Sequence, residues 1–215
     1  MTSRLVAADT NTLTVVNTTT ETEVVSLIVP AYGLATGQVI RLTTAGDVLN
    51  NSGGAATVLV KVKLGTSVVL TTPATSLANS ANLRQWRLVV DILAETDALQ
   101  RVSAVLHFSD DTAADFGPAE TYLVGYGTDT EDGTATVDVS VTVTLGTAAT
   151  TINLRRHLGF LEAVHGSVTL PSVDLPPAPI VGTATVTSGL WVSRAVELTG
   201  TVTGTATVTS SLTAS

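Results

Sequence analysis

Three histidines, His107, His157 and His165, are the side chains best suited to hold a metal or to move a proton. His107 falls on the outer face of an alternating segment, and the other two stand eight residues apart in the chain. A metal site would need the fold to bring them together, and the plainer reading is three surface imidazoles. Calcium is the other metal to weigh, because it takes several oxygens from a loop. Asp110, Asp111 and Asp115 form one acidic cluster, and Asp129, Glu131, Asp132 and Gly133 form another. Neither has EF-hand spacing. Asp129, Glu131 and Asp132 are kept as weak calcium candidates beside the plainer reading of a solvated acidic loop. Nucleophilic catalysis has no foothold: G-x-S-x-G, H-E-x-x-H and the P-loop are all missing. No catalytic residue and no cofactor is expected.

Other groups suit binding better than chemistry. Arg84 and Arg87 flank Trp86, an arrangement open to a cation–π contact. Alternation is read as setting Trp86 inside and both arginines outside. Arg155, Arg156 and His157 form the only basic triplet, either a docking contact or the polar face of a closing strand. Arg155, Arg156, Trp191 and Arg194 are the interface candidates. Sugar-binding modules stack ligands on exposed aromatics, and this chain has two Trp, three Tyr and three Phe. Tyr122 and Tyr126 are the candidates for such a role. Two sequons, at Asn17 and Asn50, carry little weight, since the N-terminal residues have no long apolar core of a signal peptide.

Strands must position these residues. Val137, Val139, Val141, Val143 and Leu145 alternate with Asp138, Ser140, Thr142 and Thr144. Trp86, Leu88, Val90 and Ile92 do the same, as do Val102, Ala104, Leu106 and Phe108, and Val58, Val60, Val62 and Leu64. Period-2 alternation marks strands with one buried and one wet face, the habit of antiparallel sheets. Gly65-Thr66-Ser67 is expected to return the chain as a hairpin, and Asn50 to Gly54 and Asp129 to Gly133 are expected loops. Ala94 to Gln100 and Leu154 to His165 read as helix or strand by periodicity. The all-β surroundings favour strand for the second.

Composition agrees. Of 215 residues 44% are hydrophobic and only 13% charged, with a net charge of −8. Such a chain is not of the disordered class. An acidic balance with scattered arginines argues against nucleic acid as a partner. The most apolar stretch, Val24 to Leu34, is broken by Ser26 and Pro30 and is too short to span a bilayer, so no membrane partner is expected. There is no cysteine.

The composition changes after His165. Pro171, Pro176, Pro177 and Pro179 mark a linker, because proline cannot donate to a ladder. Residues 181–215 are almost wholly Thr, Val, Ala, Gly and Ser, and GTATVTS occurs at Gly182 and again at Gly204. A segment so short in large side chains cannot build its own core. The expected organisation is a β-sandwich over 1–166, a linker over 167–180, and a β arm over 181–215 for oligomer or particle contacts.

Thr20 to Gly65 resembles a β-sandwich of tailed-bacteriophage structural proteins. An apolar strand ends in Pro30-Ala31, then come GQVIRL (Gly37 to Leu42), an Asn/Gly loop, and an alternating strand closing on KLG (Lys63 to Gly65). Thr75 to Ile92 and Val137 to Val164 are similar to further pieces of the same set. The resemblance covers roughly Asn11 to Val164. It implies a jelly-roll-like antiparallel sandwich in a virion protein with no catalytic residues to transfer. The expectation is therefore a non-enzymatic homo-oligomer, trimeric, bound to the major capsid protein or another virion protein. It would sit on the outer surface of the particle after assembly in the host cytoplasm. Its role would be to decorate and cement the head at capsomer junctions. Alternatives are a tail or head fibre component that contacts the host, and a carbohydrate-binding module.

Overall fold

The structure, a computed structural model, describes residues 3–109 and 119–165. Among them are twelve strands and no helix. One antiparallel sheet holds β1 (Arg4–Asp9) and β2 (Leu13–Val16), both paired with β12 (Ile152–His165). It continues through β4 (Val39–Asn50), β8 (Ser80–Thr96) and β9 (Leu99–Ser109) to β10 (Ala119–Asp129). The second runs β3 (Thr22–Val29), β11 (Val137–Leu145), β5 (Ala56–Leu64), β6 (Ser67–Thr71), with β7 (Thr75–Leu77) also on β5.

The chain crosses between sheets in a set order. β2-β12-β4-β8 lies in one sheet and β3-β11-β5-β6 in the other, which is the strand order of an eight-stranded jelly roll. Into this frame the β9–β10 hairpin is inserted between β8 and β11, and it widens the first sheet by two strands.

The core follows from the alternation. The inward sets of β5, β8, β9 and β11 are buried, from Val58 to Leu64, Trp86 to Ile92, Val102 to Phe108 and Val137 to Leu145. Each buried Val, Leu or Phe contributes about 1.5–3 kcal/mol relative to exposure. Gly65 takes a φ of 56°, which turns the chain in two residues so that Leu64 faces Ser67. Both ambiguous segments are strand. Ala94 to Gln100 is the end of β8, a tight turn and the start of β9, while β12 spans Ile152–His165.

Two readings of the arginines are overturned. Arg84 is only 3% exposed, because it lies two residues from Trp86 and so shares its inward face. Its guanidinium reaches the Ala78 carbonyl. Arg156 is 2% exposed, sharing parity with Leu154 and Ile152. The register then shifts between Arg156 and Leu158, so Gly159, Leu161 and Ala163 turn inward after it. Ser140 and Thr142 are likewise buried, although they occupy the face of β11 away from the core. β11 is a central strand, and Glu21, bonded to Lys61, Lys63 and Thr142, reaches over it.

Candidate functional site

The inserted hairpin builds a broad outer face on the first sheet. In register, Arg87 of β8 stands opposite His107 of β9, which stands opposite Tyr122 of β10. The next row is Thr43, Val89, Val105 and Val124. The third is Arg41, Asp91, Ser103 and Tyr126. Alternation places all of these opposite the core residues Leu88, Val90, Ala104 and Leu106, so they face outward together. Six of these side chains line a shallow depression. Val89 and Val105 form its floor, and Arg41, Arg87, His107 and Tyr122 its rim.

The rim groups differ in how firmly they are held. Arg41 donates two hydrogen bonds to Asp91, at 2.6 and 3.0 Å, and is spent on that pair. Arg101 pairs with Glu95 and also donates to the Tyr126 hydroxyl at 2.6 Å. That pairing holds the Glu95 carboxyl below its ordinary range and the guanidinium above its own. Arg87 has no ion pair or hydrogen bond among the described residues, and it is exposed. Tyr122, Val124 and Tyr126 are 64%, 71% and 61% exposed. They stand on the edge strand of the sheet as described, with no charged residue between Thr121 and Thr128.

The basic triplet is built differently. Arg155 Nε donates to Asp47 at 2.7 Å, and His157 Nε2 lies 2.6 Å from the other oxygen of that carboxylate. Arg156 points inward, with Nη2 2.7 Å from the Asp9 carboxylate and Nη1 donating to the Asp9 carbonyl. The triplet is thus an internal tie of β12 to β4 and β1, and Arg156 is closed to any partner. Trp191 and Arg194 lie outside the described residues, as do Asp110, Asp111, Asp115, the His165 side chain, and the linker and arm.

The acidic loop does not converge on one point. Asp132 Oδ1 accepts from both the N–H and the hydroxyl of Thr134, which lowers its pKa. Glu131 leans over Gly65, and its own N–H and carbonyl are bonded to the buried Gln100 amide. Burial, with the charge of Asp129 nearby, pushes the Glu131 carboxyl up. Among the described residues no three His, Asp or Glu side chains gather as a metal site would require.

Two parts of this arrangement escaped the sequence. Gln100 belongs to a segment whose periodicity fits helix or strand, yet its fully buried amide fixes the loop after β10. The outer-face cluster was visible only as scattered residues. Arg87, His107 and Tyr122 are far apart in sequence, and only the register of three strands makes them neighbours.

No protein-family model matches the chain, and no curated protein matches it. Among solved structures, that of the infectious bursal disease virus Gx strain contains a similar chain, at 12% identity and a TM-score of 0.28. The match covers 75% of this chain and 41% of that one, so the present chain spans well under half of its length. The jelly-roll assignment rests on the strand order and not on this likeness.

Proposed function

We propose that this chain is a structural subunit of a virus particle that works by association and not by catalysis. Its role within that class is decoration: a cement protein on the outside of a tailed-phage head, buried at capsomer junctions and self-associated as a trimer. The observation that carries the reading is the edge strand β10. Among the described residues it pairs on one side only, with β9, next to exposed Tyr122, Val124 and Tyr126, and the run from Thr121 to Thr128 holds no lysine, proline or charge to blunt the edge. Strand addition at such an edge joins chains through main-chain hydrogen bonds, with the alternate side chains setting specificity. The resemblance of Asn11 to Val164 to phage structural sandwiches supplies the particle. A jelly roll alone does not, since the same architecture serves lectins and cupins.

Copy number on purified particles tests the reading. A decoration protein is present in hundreds of copies, is seen on the head by immunogold labelling, and its loss lowers the temperature at which heads release DNA. Absence from particles would overturn the assignment. A second reading, a fibre component that touches the host, is favoured by the exposed rim of Arg87, His107 and Tyr122. It predicts few copies and loss of adsorption on deletion.

A further inference from the structure

We infer that the depression on the outer face of the first sheet is a binding site for an acidic saccharide, a sugar carrying a carboxylate or sulfate. The inference does not depend on the particle assignment. It starts from charge. The chain carries −8, and its described cations are mostly spent. Arg41, Arg101, Arg155, Arg156, Lys61 and Lys63 each face a carboxylate, and Arg84 is buried. Arg87 is exposed and has no ion pair or hydrogen bond among the described residues. It stands beside His107 and one strand from Tyr122. An acidic surface repels anions in general, so one uncommitted guanidinium makes a local exception.

The neighbours narrow the ligand. A guanidinium presents a planar fork that matches a carboxylate or sulfate with two parallel hydrogen bonds. His107 adds a further ring nitrogen on the same rim. Tyr122 supplies a flat, exposed ring, and Tyr side chains combine an apolar body with a polar tip. Its hydroxyl makes no hydrogen bond among the described residues, whereas that of Tyr126 is held by Arg101. Val89 and Val105 give the floor an apolar surface, and Asp91 is held by two hydrogen bonds from Arg41, which stands between it and Glu162 at the side of the depression away from Arg87 and Tyr122. A ligand with one anionic group and a ring with a nonpolar face meets all of these at once. The shallow, open shape suits an extended chain more than an enclosed small molecule.

The test uses the full chain and three tetrasaccharides: oligogalacturonate for the carboxylate, a heparin fragment for the sulfate, and cellotetraose as the neutral control. Binding is read by calorimetry and by amide chemical shifts. At least one acidic probe is expected to bind, at least tenfold more tightly than cellotetraose, with shifts centred on β8, β9 and β10. Arg87→Gln and Tyr122→Ala are each expected to weaken that binding at least tenfold. Arg4→Gln, which removes another unpaired cation away from this face, is expected to leave it unchanged. Circular dichroism and thermal unfolding verify that the variants are folded. The inference is overturned if neither acidic probe binds, if Arg87→Gln binds as the wild type does, or if cellotetraose binds equally well. A tetraglutamate peptide that binds as tightly as the saccharides would overturn the assignment to sugar.

Discussion

Asp9 and Arg156 are 147 residues apart in the chain, and their side chains meet at 2.7 Å across the pairing of β1 with β12. The two partners differ in exposure. The Arg156 side chain is 2% exposed and that of Asp9 is 28%. Removing one half of a buried pair costs most when it strands the more deeply buried charge. Asp9→Ala strands the guanidinium, whose Nε is already without a partner. Arg156→Met leaves a carboxylate that can turn to water. The expected order is a loss of about 3 kcal/mol for Asp9→Ala against about 1–2 kcal/mol for Arg156→Met. Urea unfolding of both variants measures it, and equal losses would contradict the argument.

Gly46 faces Trp86 on one side and Arg156 on the other. With no side chain in the way, the Trp86 indole passes over it and donates to the Arg155 carbonyl at 3.0 Å. A Cβ at this position would overlap that carbonyl. The obstacle is backbone in a paired strand and cannot swing aside. Gly46→Ala is expected to cost about 3 kcal/mol or more, which lowers the melting temperature by about 6–12 °C in a domain of this size. Gly54→Ala is the control, since a Cβ there meets nothing within 4 Å. Thermal scans of the two should differ by most of that interval.

These two sites mark how far the sequence can be read. Alternation gave the faces of β5, β8, β9 and β11, because a sandwich strand buries every second residue. The same rule, applied consistently, would have put Arg84 and Arg156 inside, since each lies two residues from a core side chain. Charge argues against that parity, and the groups that permit burial are not visible in the alternation: for Arg84 the Ala78 carbonyl just before β8, for Arg156 the Asp9 carboxylate on β1. The shift at His157 could not be foreseen from alternation within β12 alone. Nor could the row Arg87, His107, Tyr122, which depends on the registers of two strand pairs. The hairpin at Gly65 was legible because its signal is local: one glycine at a φ of 56°.

Glu21 offers a pH test with a definite sign. Hydrogen bonds from Lys61, Lys63 and Thr142 hold its carboxyl at about 2, below an ordinary value of 4.5. A carboxyl depressed in the folded state stabilises the fold above its unfolded value and loses that contribution as pH falls toward the folded one. Wild-type stability should therefore decline between about pH 4.5 and 2 in part through this group. Glu21→Gln should have a lower urea midpoint than wild type at pH 6, and the gap should close at pH 2. A gap of the same size at both values would show that the lost contacts, and not the charge, account for the difference.

Glu131 has the opposite sign. Its carboxyl is pushed up, first by burial and then by the charge of Asp129. The folded state therefore binds a proton more readily than the unfolded chain does. That contribution is complete below the ordinary carboxylate value and is lost as pH rises through the raised one. Above that raised value the fold carries the cost of an ionised Glu131 beside Asp129. Its backbone, meanwhile, is held by Gln100 through bonds of 2.9 and 3.0 Å that do not involve the carboxyl. Glu131→Gln keeps the shape and removes the charge. It should raise the urea midpoint at pH 7 and leave it nearly unchanged at pH 3.5. Gln100→Ala, which removes both bonds to the loop, should lower the unfolding free energy at both pH values by about 2 kcal/mol. If Glu131→Gln instead weakened the protein at pH 7, the carboxylate would have to be making a contact that outweighs its burial.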